Sequence, residues 1–461
     1  MKLQFCGAAR TVTGSNHFLD TGKHKIVVDC GMFQGRGNSD KNRIEFPYNP
    51  ADIEYLFLTH AHIDHCGRLP VIVKQGFHGR IIATRATKDL VRILLQDSAK
   101  IQQGNRRRCQ RRGQTGCEFR AMYTKEEAED VMQYFDVYPY GSSIKLSEDL
   151  EFRMRDAGHI LGSSMFEFWV KTDKGKLRKL VFSGDLGQPG QRIVKDPDMI
   201  READYVIIES TYGNRLHRSK DETLVEFLGI LKKAKEEGGN VLIPSFAVER
   251  AQELLYELNL FTENNLIEDL NVYFDSPLAS KATEIFKRHT ELYDEDARRL
   301  IESGDELFDF PGLEYISDFS DSRRLAARKG IAIIAGSGMC TGGRILYHLQ
   351  NNISDKKNHL LFAGFQVRGT MGRAIIDGAA DVKISGRRYS VGINVHTLGG
   401  MSAHADQKDL DYWLGGFGKS PRRVFVVHGD EEISEFFADH IRTVMKLDAH
   451  VPDMHEEVVL E

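Results

Sequence analysis

Three imidazoles and a carboxylate crowd into His60-Ala61-His62-Ile63-Asp64-His65, directly after the apolar run Tyr55-Leu56-Phe57-Leu58. Side chains two apart on extended chain point the same way, so His60 and His62 can reach one cation together. Once the chain turns, Asp64 and His65 can address a second. Imidazole with carboxylate suits zinc, with iron or manganese as alternatives. One histidine in a loop would carry no such expectation; the density does. The remaining ligands are expected at the ends of other strands. His159 in Gly158-His159-Ile160-Leu161-Gly162, Asp185 in Ser183-Gly184-Asp185-Leu186-Gly187 and His428 in Val427-His428-Gly429-Asp430 hold such positions.

The elements that must position them are short and apolar. Lys25-Ile26-Val27-Val28 runs into Asp29, Lys179-Leu180-Val181-Phe182 into Ser183, Tyr205-Val206-Ile207-Ile208 into Glu209, and Val424-Phe425-Val426-Val427 into His428. Continuous runs of this kind predict strands buried on both faces, in sheets covered by helices. Polar residues at their ends can meet at one rim, where α/β proteins place chemistry. Between Glu209 and about Gly372 a second rhythm appears. Helical periodicity over Asp221–Glu236 and Val248–Leu260 alternates with strand-like 240–244, 271–274 and 330–334, which predicts an inserted parallel-sheet α/β unit.

With 461 residues the chain can build two or three compact domains. Its formal net charge of -5 excludes a general polyanion binder and confines any nucleic-acid contact to local patches. The six cysteines form no CxxC pair, which fits free thiols in a reducing compartment. No stretch approaches the ~20 apolar residues of a membrane span, and no signal peptide is evident, so a cytoplasmic protein is expected.

The metal motif resembles that of the metallo-β-lactamase superfamily, and the resemblance covers nearly the whole chain. It implies an αββα sandwich holding two zinc ions, with manganese as an alternative. His60, His62 and His159 would hold the first, Asp64, His65 and His428 the second, and Asp185 would bridge them. Asp29 would orient the ligand loop from behind. Glu209 in Glu209-Ser210-Thr211-Tyr212, His404 in Met401-Ser402-Ala403-His404-Ala405-Asp406, and His428 resemble motifs A, B and C of the β-CASP nucleases, in a compact form. That family also carries an inserted domain between motifs A and B. The implied division is 1–208 and 376–461 for the metallo-β-lactamase domain and 209–375 for the insertion. A phosphodiester leaving group needs a proton, and His404 is the candidate general acid, held charged and oriented by Glu209.

Within the insertion, Gly336-Ser337-Gly338-Met339-Cys340-Thr341-Gly342-Gly343-Arg344 lies between a strand and a helix. Ser337, Gly338, Thr341, Gly342 and Gly343 are candidates to cradle a phosphate. Arg250 and Arg368 could touch RNA phosphates or brace the domain. Eight basic residues between Lys100 and Lys125, densest over 106–112, could track phosphates or simply be solvated. The expectation is a ribonuclease acting on single-stranded RNA, by internal cutting in preference to 5′-exonuclease action, with no membrane partner; a homodimer is compatible with the sequence. The competing readings are a DNA nuclease, a small-molecule ester or thioester hydrolase, and a nonenzymatic RNA-binding subunit. A small substrate would need neither the insertion nor the Glu209/His404 pair.

Overall fold

The computed structural model describes residues 1–35, 40–111, 121–172, 174–364, 366–367 and 369–461, with side chains throughout except at 105–111. Arg368 and the densest part of the basic stretch therefore lie outside the described residues and side chains. The chain forms two compact units, one of Met1–Leu216 with His404–Glu461, the other of His217–Ala403.

In the first unit the apolar runs become strands where the pattern requires them: Lys25–Val28, Tyr55–Phe57, Leu177–Phe182, Tyr205–Glu209 and Arg423–Val427. They belong to two seven-stranded sheets. Leu3, Phe5, Phe57, Phe152, Phe166, Phe168, Phe182 and Phe425, from both sheets, share one buried core. Phe57 packs edge-on against Phe152, Phe166 and Phe168 at centroid distances of 5.1, 5.2 and 4.6 Å, a favoured aromatic geometry. Helices Gln407–Gly415 and Glu431–His440 cover the second sheet through Leu410, Trp413, Leu414 and Phe437. Helices Leu69–Lys74 and Arg85–Arg111 flank the strand Arg80–Ala83 of the first sheet in sequence. The result is the expected helix–sheet–sheet–helix layering.

Pairing direction decides where the chemistry goes. Lys25–Val28 pairs in parallel with Tyr55–Phe57, so Asp29 and His60 leave the first sheet at the same edge. Leu177–Phe182, Tyr205–Glu209 and Arg423–Val427 are mutually parallel neighbours, which brings Asp185, Glu209 and His428 to one edge of the second sheet.

The second unit holds a six-stranded, wholly parallel sheet in the order Leu313–Tyr315, Asn271–Asp275, Ile331–Ala335, Val241–Pro244, His359–Phe362, Asn394–Thr397. It begins at 217 and ends at 403, where the sequence division had 209 and 375. Two elements account for the later end. The strand Asn394–Thr397 pairs with His359–Phe362, and the hairpin Asp381–Ile384 with Arg387–Ser390 precedes it. Glu209 ends a strand of the first unit. Among the described residues no helix is long and apolar enough to cross a membrane.

Candidate metal centre

The donors hang from strand ends whose backbone is bent to aim them. Asp29 and His428, each directly after a strand, have positive φ of 60° and 50°. Such conformations cost non-glycine residues free energy and persist where surrounding contacts hold them. Here Asp29 accepts from the Thr59 amide and from the hydroxyls of Thr59 and Ser15, at 2.9 Å each. The His428 amide donates to the Ala8 carbonyl at 2.7 Å. The turn expected after His62 is the one-turn helix Ile63–Cys66. Gly31 lets that turn close in, because a Cβ there would stand 1.6 Å from the Asp64 carbonyl oxygen.

Two groups of ligand atoms result, each with its members within 4.8 Å of one another: His60, His62, His159 and Asp185, and Asp64, His65 and His428. In the first, His60 Nε2 stands 3.1 Å from His62 Nδ1, His159 Nε2 3.3 Å from His62 Nδ1, and Asp185 Oδ2 3.5 and 3.6 Å from His60 and His159. In the second, His65 Nε2 lies 3.2 Å from His428 Nε2, and His428 Nε2 lies 3.6 Å from Asp64 Oδ2. Asp185 Oδ1 sits 3.4 Å from His65 Nε2. One carboxylate thus offers one oxygen to each group. Oδ1 is buried with no hydrogen-bond partner among the described residues.

These spacings suit a cation. Ligands ~2.0–2.1 Å from a tetrahedral ion stand about 3.3 Å apart, close to the 3.1–3.6 Å observed within the groups. Electrostatics agree. Burial pushes the His60 imidazole well below its usual value and His62 down to about 4, so both keep lone pairs for a metal. Burial would raise the Asp185 carboxyl, but His428, His65 and His60 outweigh it and hold the group well below the carboxylate range. His65 runs the other way. Burial would lower it, yet Asp185 and Asp29 hold it well above its usual value, so a cation arriving at its Nε2 displaces a proton. Its Nδ1 stands 2.7 Å from Asp29 Oδ2, which fixes the ring with Nε2 toward the site.

Beside this cluster, His404 Nδ1 lies 3.1 and 3.2 Å from the two oxygens of Glu209, which is fully buried. Those oxygens also accept the Leu186 amide at 2.7 Å and the Thr211 amide at 3.2 Å. The His404 ring lies 4.4 Å from that of His159. Burial would lower the His404 imidazole, but the charge and hydrogen bonding of Glu209, with Asp185 and Asp64, raise it to about 9. Asp185, Glu209 and His404 also have ligand atoms mutually within 4.8 Å.

Several positioning residues are absent from the expected set. Thr59 Oγ1 touches both Asp29 oxygens, His60 Nδ1 at 3.1 Å and His65 Nδ1 at 3.3 Å. Ser163 accepts the His159 amide, Ser183 accepts the Glu209 amide, and Thr211 Oγ1 stands 3.2 Å from His428 Nδ1. Each is a hydroxyl next to or near a ligand in the sequence, and that adjacency was the available signal.

The inserted loop departs from expectation. Ser337 Oγ accepts the amides of Thr341 and Gly342 at 3.0 and 3.1 Å, and the Ile345 amide donates to the Gly336 carbonyl. The loop therefore spends on itself two of the amides, and the hydroxyl, that the sequence offered to a phosphate. Gly338 is buried, while Thr341 and Gly343 are exposed. Arg250 is also turned inward, paired with Glu253, with both side chains buried; it braces the helix Arg250–Glu263.

Comparison with known proteins agrees with this geometry. Residues 10–112 match the family described as the metallo-beta-lactamase superfamily, 251–375 the Beta-Casp domain, and 388–452 the Zn-dependent metallo-hydrolase RNA specificity domain. The chain is 39% identical to Ribonuclease TTHA0252 of Thermus thermophilus over 94% of each chain. It is 29% identical to transcription termination factor FttA of Methanocaldococcus jannaschii, over 98% of this chain and 70% of that one. A crystal structure of a protein of unknown function from Enterococcus faecalis resembles it with a TM-score of 0.54 at 13% identity, covering 100% and 99% of the two chains, a likeness of fold alone. Similarity along nearly the full length of a relative makes this chain a member of the β-CASP branch of the metallo-β-lactamase superfamily of metal-dependent hydrolases.

Proposed function

We propose that this protein is a ribonuclease that holds two zinc ions and cuts single-stranded RNA internally. The observation that carries the reading is the His404–Glu209 pair set directly beside the donor groups. A hydrolase of small activated esters has no need of a buried proton donor for its leaving group; a phosphodiester has. The names of the two relatives, a ribonuclease and a transcription termination factor, support RNA as the substrate.

His60, His62 and His159 with Asp185 would hold one zinc, and Asp64, His65 and His428 with Asp185 the other. Bound there, the ions supply Lewis-acid polarisation of the phosphodiester and activation of the attacking water near neutral pH. The chain's own residues do the rest. Asp29 and Thr59 keep His60 and His65 in register. Asp64 and Asp185 fix the phosphodiester and the attacking water in line. Glu209 holds the His404 Nδ1 proton and keeps the ring charged, and Nε2 delivers its proton to the departing 3′ oxygen as the P–O bond breaks. Water is added across that bond, leaving a 3′-hydroxyl upstream and a 5′-phosphate downstream. The described cysteines Cys6, Cys30, Cys66 and Cys340 are free and buried, which supports work in a reducing cytoplasm.

The test uses zinc-loaded protein, a circular single-stranded RNA, the same RNA linearised with a 5′-phosphate, and the matching DNA. Cutting of both RNAs is expected. Loss of the linear form alone replaces internal cutting by 5′-exonuclease action, equal cutting of DNA removes the RNA preference, and no cutting at all overturns the reading.

A further inference from the structure

In the parallel sheet of the second unit the direction of the connections reverses between two neighbouring strands. Val241–Pro244 and Ile331–Ala335 are neighbours, yet the chain leaving the first runs to Asn271–Asp275 on one side. The chain leaving the second runs to His359–Phe362 on the other. Loops leaving adjacent strands in opposite directions open a crevice at the carboxyl ends, the usual ligand position in such sheets. Phe246 stands at this rim, two residues beyond its strand, and is 37% exposed.

Its ring rests on backbone. A Cβ on Gly338 would meet the Phe246 ring at 2.8 Å, and one on Gly364 would meet it at 3.4 Å. A side chain at 338 would push the ring off its seat. Buried Gln366 pins that seat, its amide donating to the Gly338 carbonyl at 2.9 Å and the Gly364 carbonyl at 3.1 Å. A phenyl left half in water costs free energy, and here two glycines and a buried amide are arranged to hold it there. The loop that carries Gly338 also carries Ser337 and exposed Thr341, whose hydroxyls stand 3.2 Å apart. One exposed flat π face seated on glycine backbone, in a loop that also carries hydroxyls, matches one nucleobase.

We infer that Phe246 is a stacking platform for an unpaired base of the RNA, a subsite that rests on the ribonuclease reading above and adds a specific contact to it. The test compares wild type, Phe246→Ala, Phe246→Leu and Phe246→Trp, all zinc-loaded, on a single-stranded oligoribonucleotide and on a series with one abasic residue moved along it. Phe246→Ala is expected to raise KM about 10-fold, and Phe246→Trp to restore it. At one position the abasic residue should weaken wild type by a similar factor and leave Phe246→Ala no worse. Equal KM in wild type and Phe246→Ala overturns the subsite while RNA cleavage still stands. Full recovery by Phe246→Leu also overturns it, and points to an apolar contact with another protein. If wild type cuts no RNA, the ribonuclease reading fails, and fluorescence anisotropy of the uncut oligonucleotide tests the platform by the same ratios.

Discussion

Replacing Glu209 by Gln keeps the size of the side chain and removes the charge that faces His404 Nδ1 at 3.1–3.2 Å. Burial alone would lower the His404 imidazole, and Glu209 leads the groups that instead raise it from 6.5 to about 9. At ~1.4 kcal/mol per pH unit, that rise is roughly 3 kcal/mol in favour of the charged ring. Zinc nearby pulls the other way, so the alkaline limb of wild-type activity is expected at or below pH ~9. The readout is the difference between the two proteins. An acid with its pKa near 9 is ~90% protonated at pH 8; one returned to 6.5 is about 3% protonated. Glu209→Gln should therefore lose about 30-fold in kcat at pH 8 and recover most of it at pH 6, its alkaline limb moved down by about 2.5 pH units. The assay is a kcat–pH profile on one RNA oligonucleotide, with zinc content and melting measured at each end of the range. Gln leaves one backbone amide of Leu186 or Thr211 poorly matched, at about 1–3 kcal/mol of stability, and melting reports that separately. A loss of activity equal at every pH, or a loss of zinc, would refute the reasoning and make Glu209 a structural or ligand residue.

Three further outcomes follow from the same geometry. His404→Ala should keep its zinc and lose ~100-fold or more of kcat; full cleavage by zinc-replete variant removes His404 as the acid. Asp29→Asn should weaken zinc ~10–100-fold through His65, read by chelator competition, with cleavage returning in excess zinc; unchanged affinity would make Asp29 a fold residue only. Burial pushes the Asp156 carboxyl up to about 7, Asp198 adding to it and the Gly158 amide opposing it. A folded-state value above the unfolded one means stability that is present below pH ~4 and lost as pH rises through about 7. Asp156→Asn should raise the melting temperature at pH 8, by up to ~4 kcal/mol of stability, and leave it unchanged at pH 4. A shift equal at both pH values would remove the carboxyl as its source.

The cluster from His60 to His65 was legible because its donors are contiguous, and the apolar runs before Asp29, Asp185, Glu209 and His428 announced strand ends. Parallel pairing then brought those ends together, and direction of pairing is not written in any single run. The allocation of His159, Asp185 and His428 to two groups came from resemblance; spacing in the chain could not supply it. Thr59 escaped notice because a threonine at a strand end has many ordinary uses, and only its contacts with Asp29, His60 and His65 give it a role. Ser337 misled for the converse reason. A hydroxyl in a glycine-rich loop offers itself equally to a ligand and to the loop's own amides, and the choice is made by the loop's conformation. The compact unit runs past the sequence boundary at 375, where the matched Beta-Casp domain also ends, because the strand Asn394–Thr397 finds its partner 35 residues upstream, a pairing no local window contains.

The span between donors has a consequence for the making of the protein. His428 follows His65 by 363 residues, and a ribosome working at ~5–20 residues per second needs roughly 20–70 s to cover that distance. Throughout that interval the growing polypeptide has Asp64 and His65 but lacks His428, and for most of it also lacks His404, the proposed proton donor. Its second sheet also lacks the strand Arg423–Val427. A half-made chain is still attached to a messenger, the kind of molecule the finished protein is proposed to cut. By drawing the donor His428 from beyond the inserted unit, the fold delays the completion of the proposed metal centre until the whole of that unit has been synthesised.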